Sequence, residues 1–180
     1  KTYNGVALLS REPAELTATA IPDFDDEQKR LLAADVAGMR VVCAYFPNGQ
    51  SLDSDKYGYK LRWIEALTAW LGAELAAQPK LALLGDFNIA PHPRDVYDPA
   101  AWEGQVLFSA PERAAFQALV DTGLEDVFRA FEQPENSFSW WDYRSGACRR
   151  NHGLRIGHIL ASAGLNARCR ACSIDSAPRA

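Results

Sequence analysis

Cysteine is scarce in this chain, long apolar runs are missing, and the overall charge is not basic. Four cysteines in 180 residues (Cys43, Cys148, Cys169 and Cys172) are sparse for a disulfide scaffold. The Cys169-x-x-Cys172 pair has no second pair or nearby histidine cluster to complete a zinc site. The thiols are therefore expected to be reduced and incidental, as in a cytoplasmic protein. No apolar run approaches the roughly 20 residues of a membrane span, and nothing resembles a signal peptide, so the sequence reads as soluble with no membrane partner. A formal net charge of -4 argues against a generally basic nucleic-acid binder. No internal repeat or low-complexity tract is present. Methionine occurs once, as Met39, and the chain starts at Lys1, which predicts a processed chain or an excerpt of a longer one.

The charge is unevenly spread. From Arg144 onward there are seven arginines (144, 149, 150, 155, 168, 170 and 179) against one acid, Asp175, a net +6, so the preceding residues carry -10. A basic end on an acidic body is either a solvated surface or the electrostatic footprint of a polyanion partner.

A length of 180 residues suits one domain with a sizeable core, here residues 1–180. Residues 3–10 read as a turn and a strand. Residues 30–36 and 39–46 read as two more strands joined by Ala37-Gly38, with residues 22–27 as a surface loop before them. Pro47-Asn48-Gly49 ends the third strand, which leaves Tyr45 and Phe46 at a strand end. Ile64, Leu67, Leu71 and Leu75 recur at helical spacing, predicting an amphipathic helix over residues 59–77. Residues 90–93 cannot continue regular structure, and residues 97–109 read as a loop. Ser109, Pro111 and Glu112 form a capping box for a helix running to Asp121 and ended by Gly123. Residues 138–143 are aromatic-rich, residues 153–162 read as a buried strand interrupted at Gly157, and residues 168–174 as a last strand. Mixed strands and helices of this kind predict an α/β layered fold.

The chemistry is concentrated at Leu81-Ala82-Leu83-Leu84-Gly85-Asp86-Phe87-Asn88. A short apolar run that stops at Gly-Asp-x-Asn reads as a strand, buried on both sides, that delivers polar groups to its end. In an extended segment Asp86 and Asn88 would share a face. A carboxylate and an amide there could bind a hard cation and orient a water or an oxyanion, as phosphate ester hydrolysis requires. Taken alone, the same four residues suit a helix N-cap or an Asx turn.

Six short stretches occur in order: Asn4-Gly5-Val6-Ala7-Leu8-Leu9-Ser10, Ala44-Tyr45-Phe46-Pro47-Asn48-Gly49, Leu84-Gly85-Asp86-Phe87-Asn88-Ile89, Asp126-Val127-Phe128-Arg129, Phe138-Ser139-Trp140-Trp141-Asp142-Tyr143-Arg144-Ser145 and Asn151-His152-Gly153-Leu154-Arg155-Ile156. Each is weak alone, but together they resemble bacterial exodeoxyribonuclease III, the DNA-repair branch of the endonuclease/exonuclease/phosphatase superfamily. The resemblance implies a four-layer α/β sandwich of two mixed β-sheets flanked by helices, like deoxyribonuclease I. It also implies Mg²⁺- or Mn²⁺-dependent hydrolysis of double-stranded DNA by a monomer, as a 3′-to-5′ exonuclease at 3′ ends and an endonuclease at abasic sites. Asp86 resembles the carboxylate that activates water, and Asn88 the amide that holds the scissile phosphate, with both near the metal. Tyr45 resembles the tyrosine beside that phosphate. Trp140, Leu154 and Ile156 resemble the apolar pocket for a base-free sugar, and Arg144 and Arg155, with Arg149 and Arg150, are candidates for phosphate contacts. Without the resemblance, Tyr45 and the tryptophans suit core roles, the arginines a solvated rim, and His152 and His158 surface and packing positions.

Three departures qualify the resemblance. The family's metal-binding Asn and Glu at the start, and its closing Ser-Asp-His, are missing, so the chain is expected to be a domain incomplete at both ends. Where the family has Leu-Arg-Ile-Asp, this chain has Leu154-Arg155-Ile156-Gly157. That Asp orients a catalytic His in the family, so Gly157 is expected to remove transition-state stabilisation, and His158 faces the wrong way to replace it. The competing expectations are a catalytically silent DNA-binding remnant and, further off, a phosphoesterase acting on a phospholipid or inositol phosphate.

Overall fold

The computed structural model describes residues 4–144 and 146–175. Its first strand, β1 (Ala14–Ala18), lies beyond the strand expected in residues 3–10. Residues 4–10 are irregular, and Tyr3 lies outside the described residues. β1 is almost wholly exposed, as suits a sheet edge with few apolar residues to bury. β2 (Leu31–Val36) and β3 (Met39–Tyr45) form an antiparallel hairpin. Ala37 and Gly38 both have positive φ, 50° and 75°, the tight-turn geometry that matches strand twist.

The long helix α1 (Asp55–Ala77) begins four residues before the expected start at residue 59, because the Ser54 side chain accepts from the Tyr57 N–H and caps it. β4 (Leu81–Asp86) follows and pairs in parallel with β3. A four-residue helix α2 (Pro99–Trp102) interrupts the stretch read as a loop. α3 (Ala110–Val120) carries the expected Ser109–Glu112 capping box. β5 (Leu124–Asp126) is short. The segment read as one strand is two: β6 (Trp140–Trp141) pairs with β7 (Gly153–Leu154), whereas β8 (Gly157–Ser162) pairs with β4 and β5. At the break, the Ser139 hydroxyl accepts from the Ile156 and Gly157 N–H groups, both at 3.0 Å, and replaces ladder bonds there. The strand expected over residues 168–174 is not formed; α4 (Ala163–Asn166) and irregular backbone follow β8.

Among the described residues the strands make a mixed six-stranded sheet in the order β1-β2-β3-β4-β8-β5 and a two-stranded β6-β7 sheet. This is the α/β class and the two-sheet arrangement expected. Trp63, Ile64, Leu67 and Leu71 of α1 and Phe116 and Leu119 of α3 pack with Val42, Leu81, Leu83 and Leu160 in one core. β4 is therefore not buried equally on both sides. Leu81 and Leu83 are buried, but Ala82 and Leu84 are half-buried, because α1 and α3 cover the other face.

Candidate active site

β3 and β4 run parallel and end together, so their following loops leave the sheet side by side, where α/β sheets usually bind ligands. The register sets Tyr45 beside Asp86, and Asp86 opposite Gly157 of β8, in one row across three strands. Close approach makes this possible: a Cβ at Gly85 (φ 145°) would lie 2.0 Å from the Ala44 carbonyl oxygen, so only glycine fits.

Asp86 and Asn88 do come together, but not by strand alternation. The strand stops at Asp86, and Asn88 takes a left-handed φ of 51°. Its N–H donates to Asp86 Oδ1 at 3.0 Å, closing an Asx turn. The Asn88 amide donates to the Phe46 carbonyl (3.0 Å), and its Oδ1 accepts from Asn48 Nδ2 (3.1 Å). Asn48, read from the sequence only as part of a turn cluster, is thus part of the site. Burial pushes the Asp86 carboxyl up, against the Asn88 N–H and the Lys60 charge, which favour its ionised form.

Tyr45 is held from behind: Arg30 Nη1 donates to its carbonyl (3.2 Å), and the guanidinium lies 5.0 Å from its ring centroid. Gln28, Arg30, Tyr45, Asn48, Lys56 and Tyr59 line a cavity of about 410 Å³ beside this strand end.

The expected sugar pocket is not an open space. Leu154 and Ile156 are 0% and 3% exposed and pack with Ala90, Val96, Leu107 and Phe108, with Trp102 and Trp140 over them. The opening is on the outer side of Trp140, a cavity of about 410 Å³ lined by Trp102, Tyr97, His152, Arg144 and Arg150. Tyr97 and His152 stack there, centroids 4.4 Å apart at 4°.

The arginines divide. Arg144 is exposed, paired with Asp142 at 2.9 Å and set over Tyr143; Arg149 and Arg150 are exposed beside it. Arg155 is not a rim residue: it is 1% exposed, with Nε 2.6 Å from Asp95 and Nη2 2.7 Å from Asp126. It lies in the break between β7 and β8, where residues 153–156 are all buried, and only paired carboxylates make burial of its charge tolerable. Arg179 lies outside the described residues. His158 is buried, its Nε2–H donating to the Ile89 carbonyl at 2.8 Å, and burial lowers its pKa to about 4.

Among the described residues no three His, Cys, Asp or Glu side chains cluster. Mg²⁺ is commonly held by one or two carboxylates, with waters and phosphate oxygens completing its octahedron. Asp86 with the neighbouring Asn88 and Asn48 amides is an oxygen-donor set that fits the lower end of that range.

Comparison with known proteins gives the following. The model of the Endonuclease/Exonuclease/phosphatase family matches residues 1–179. The chain is 36% identical over 182 residues to exodeoxyribonuclease III of Haemophilus influenzae, covering 94% of this chain and 68% of that protein. Among solved structures it is similar to the 3′ phosphatase NExo from Neisseria bound to a product DNA hairpin (41% identity, TM-score 0.89, 95% of this chain and 67% of that one). It is also similar to an AP endonuclease from Archaeoglobus fulgidus (35% identity, TM-score 0.86, 94% and 66%).

Proposed function

The chain belongs to the endonuclease/exonuclease/phosphatase family, in its exodeoxyribonuclease III branch, and on that premise we propose that it is a divalent-cation-dependent DNA-repair nuclease working through Asp86, Asn88 and Tyr45. One observation carries the assignment. Tyr45 and Asp86 end adjacent parallel strands, and the loops after them bring Asn48 and Asn88 into contact.

In this reading Asp86 takes the proton of the attacking water as the water oxygen bonds to phosphorus, and the ester P–O bond breaks with the leaving sugar oxygen taking up a proton from solvent. Asn88 and Asn48 hold the phosphate, because their coupled amides have little freedom to turn away. Tyr45 donates to a phosphate oxygen from the neighbouring strand. Asp86 and Asn88 would hold the divalent cation, Mg²⁺ or Mn²⁺, which when bound would supply positive charge against the phosphate oxygens. Arg144 contacts flanking phosphates, while Arg155 acts by holding the framework. Trp140 forms the apolar wall nearest the bound strand, with Leu154 and Ile156 buried behind it. Their burial favours trimming at 3′ ends over incision at abasic sites. No helix among the described residues is long and apolar enough to cross a membrane, and we take the protein to be a cytoplasmic monomer on duplex DNA, its 180 residues part of one domain.

The test is cleavage of two labelled duplexes, one with a recessed 3′ end and one with an abasic-site analogue, with Mg²⁺ and with EDTA. Mg²⁺-dependent cleavage that EDTA abolishes is expected. A second reading draws on Gly157: with no side chain opposite Asp86, the chain would bind DNA without cutting it. Duplex binding with no cleavage in any metal would select that reading and overturn the first.

A further inference from the structure

The apolar stripe of α1 contains a lysine. Lys60 lies four residues before Ile64 on the face that packs on the sheet, and its side chain is fully buried. Such burial is unfavourable unless every donor is used. Lys60 Nζ donates to Glu112 Oε1 at 2.5 Å, to the Asn88 carbonyl at 2.6 Å and to the Asn48 carbonyl at 3.2 Å. The two carbonyls belong to the two residues whose side-chain amides touch each other. One buried cation therefore grips the main chain of both.

The far side of the Lys60 ammonium is fixed as well. Glu112 also accepts from the Leu107 and Ser109 N–H groups and from the Ser109 hydroxyl, which in turn contacts the Tyr57 hydroxyl at 2.6 Å. α1, α3 and both strand-end loops thus meet at one ammonium group. Asn88 itself sits in the left-handed region, which asparagine tolerates better than other residues with a side chain, through its Asx turn to Asp86. The backbone around it is gripped elsewhere too: Phe87 N–H donates to the Ile156 carbonyl, Ala90 N–H to the Leu107 carbonyl, and His158 to the Ile89 carbonyl, each at 2.8 Å. Lys60 is the element of this set that reaches both loops.

We propose that Lys60 is a positioning residue for phosphodiester hydrolysis, fixing the Asn48 and Asn88 amides against each other by holding both main-chain carbonyls from beneath. This rests on the site reading above. It differs from a stabilising ion pair in that only the carbonyl contacts, and not the contact to Glu112, bear on the amides.

The test compares Lys60→Met with Glu112→Gln, since each removes one member of the same buried pair. Both are expected to lower stability. Lys60→Met alone is expected to lower kcat on the 3′-recessed duplex by roughly 10²-fold, the penalty for misplacing a group near the reaction, with KM within about threefold. Glu112→Gln, in which Lys60 still reaches both carbonyls, is expected to keep kcat within about threefold. Should Lys60→Met fail to fold, Lys60→Met/Glu112→Gln removes both buried charges and takes its place. Side-chain NH₂ resonances of Asn48 and Asn88 are followed in parallel, so a protein that cuts no DNA still reports on this idea. Their displacement in the Lys60 variant, and not in Glu112→Gln, supports it. Equal falls in kcat for both variants, or unmoved amide resonances in the Lys60 variant, overturn it.

Discussion

Asp86 and Gly157 face one another across the antiparallel β4–β8 pair. Residues so paired present side chains about 5 Å apart on one face, so the polar neighbour that Asp86 would have from β8 is missing. A Cβ is accommodated at Gly157, where it would meet nothing nearer than Ser139 Oγ at 3.4 Å. Gly157→Asp is therefore expected to be tolerated and to raise Mg²⁺-dependent cleavage by roughly 10- to 100-fold, the usual weight of a group that orients a metal site. A second carboxylate opposite Asp86 also raises the upper titration of the pair, so the acid limb of the rate profile should move to higher pH. Initial rates from pH 5 to 9 check both, and an unchanged rate would sink the idea.

Much of this arrangement can be read from residue order, and the failures have physical causes. Ser109 and Glu112 are a local device, complete within four residues, and the helix starts where they predict. Ile64, Leu67 and Leu71 mark α1 correctly because helical burial repeats within one element. β1 was not visible, since an exposed edge strand such as Ala14–Ala18 buries too little for a pattern. The backbone reversal at Asn88 was also hidden: spacing of two suggests a shared face in a strand, whereas the Asx turn to Asp86 brings the two together by another route. Lys60 carries a signal of its own, a lone cation on an apolar stripe. Arg144 and Arg155 could not be separated, because charge says nothing about which arginine has buried carboxylates waiting for it.

That separation can be measured. Removing Arg155 leaves Asp95 and Asp126 facing the interior, with Arg129 still on Asp95. Arg155→Ala is expected to lose roughly 3–5 kcal/mol of stability, read from urea unfolding. Arg144→Ala should change stability by no more than about 0.5 kcal/mol but reduce the slope of log affinity against log salt for duplex DNA by about 1. Loss of stability at Arg144 with none at Arg155 would reverse the assignment.

His158 couples the site loop to acid. Its folded pKa is lowered to about 4 by burial, the nearby Arg155 charge adding to the effect, against about 6.5 unfolded. The imidazole is neutral in both states above pH 6.5. Between about 6.5 and 4 the unfolded chain takes up a proton that the folded one refuses, so stability falls as pH drops, by on the order of 3 kcal/mol across the window. His158→Leu removes this slope but also leaves the Ile89 carbonyl without its donor, so it should be less stable at pH 7 and less sensitive to acid. Urea midpoints of the two proteins at pH 7 and 4.5 test this, and parallel falls would refute it.

The last prediction concerns what closes the wall beside the bound strand. A base-free sugar offers no base edge to read, so its selection needs an open apolar recess. Leu154 and Ile156 supply apolar surface, yet they are sealed beneath a layer that includes Trp102. Trp102 comes from α2, a single turn anchored by Asp98 and Pro99, with only part of its ring covered, so its removal should be survivable. Trp102→Ala is expected to cost roughly 1–3 kcal/mol and to expose the leucine and isoleucine. Incision at an abasic-site analogue should then rise relative to trimming of a 3′ end, both measured on the same preparation so that folded fraction cancels. If instead the ratio stays constant while both rates fall, the tryptophan is only packing, and selection between the two substrates lies elsewhere in the site.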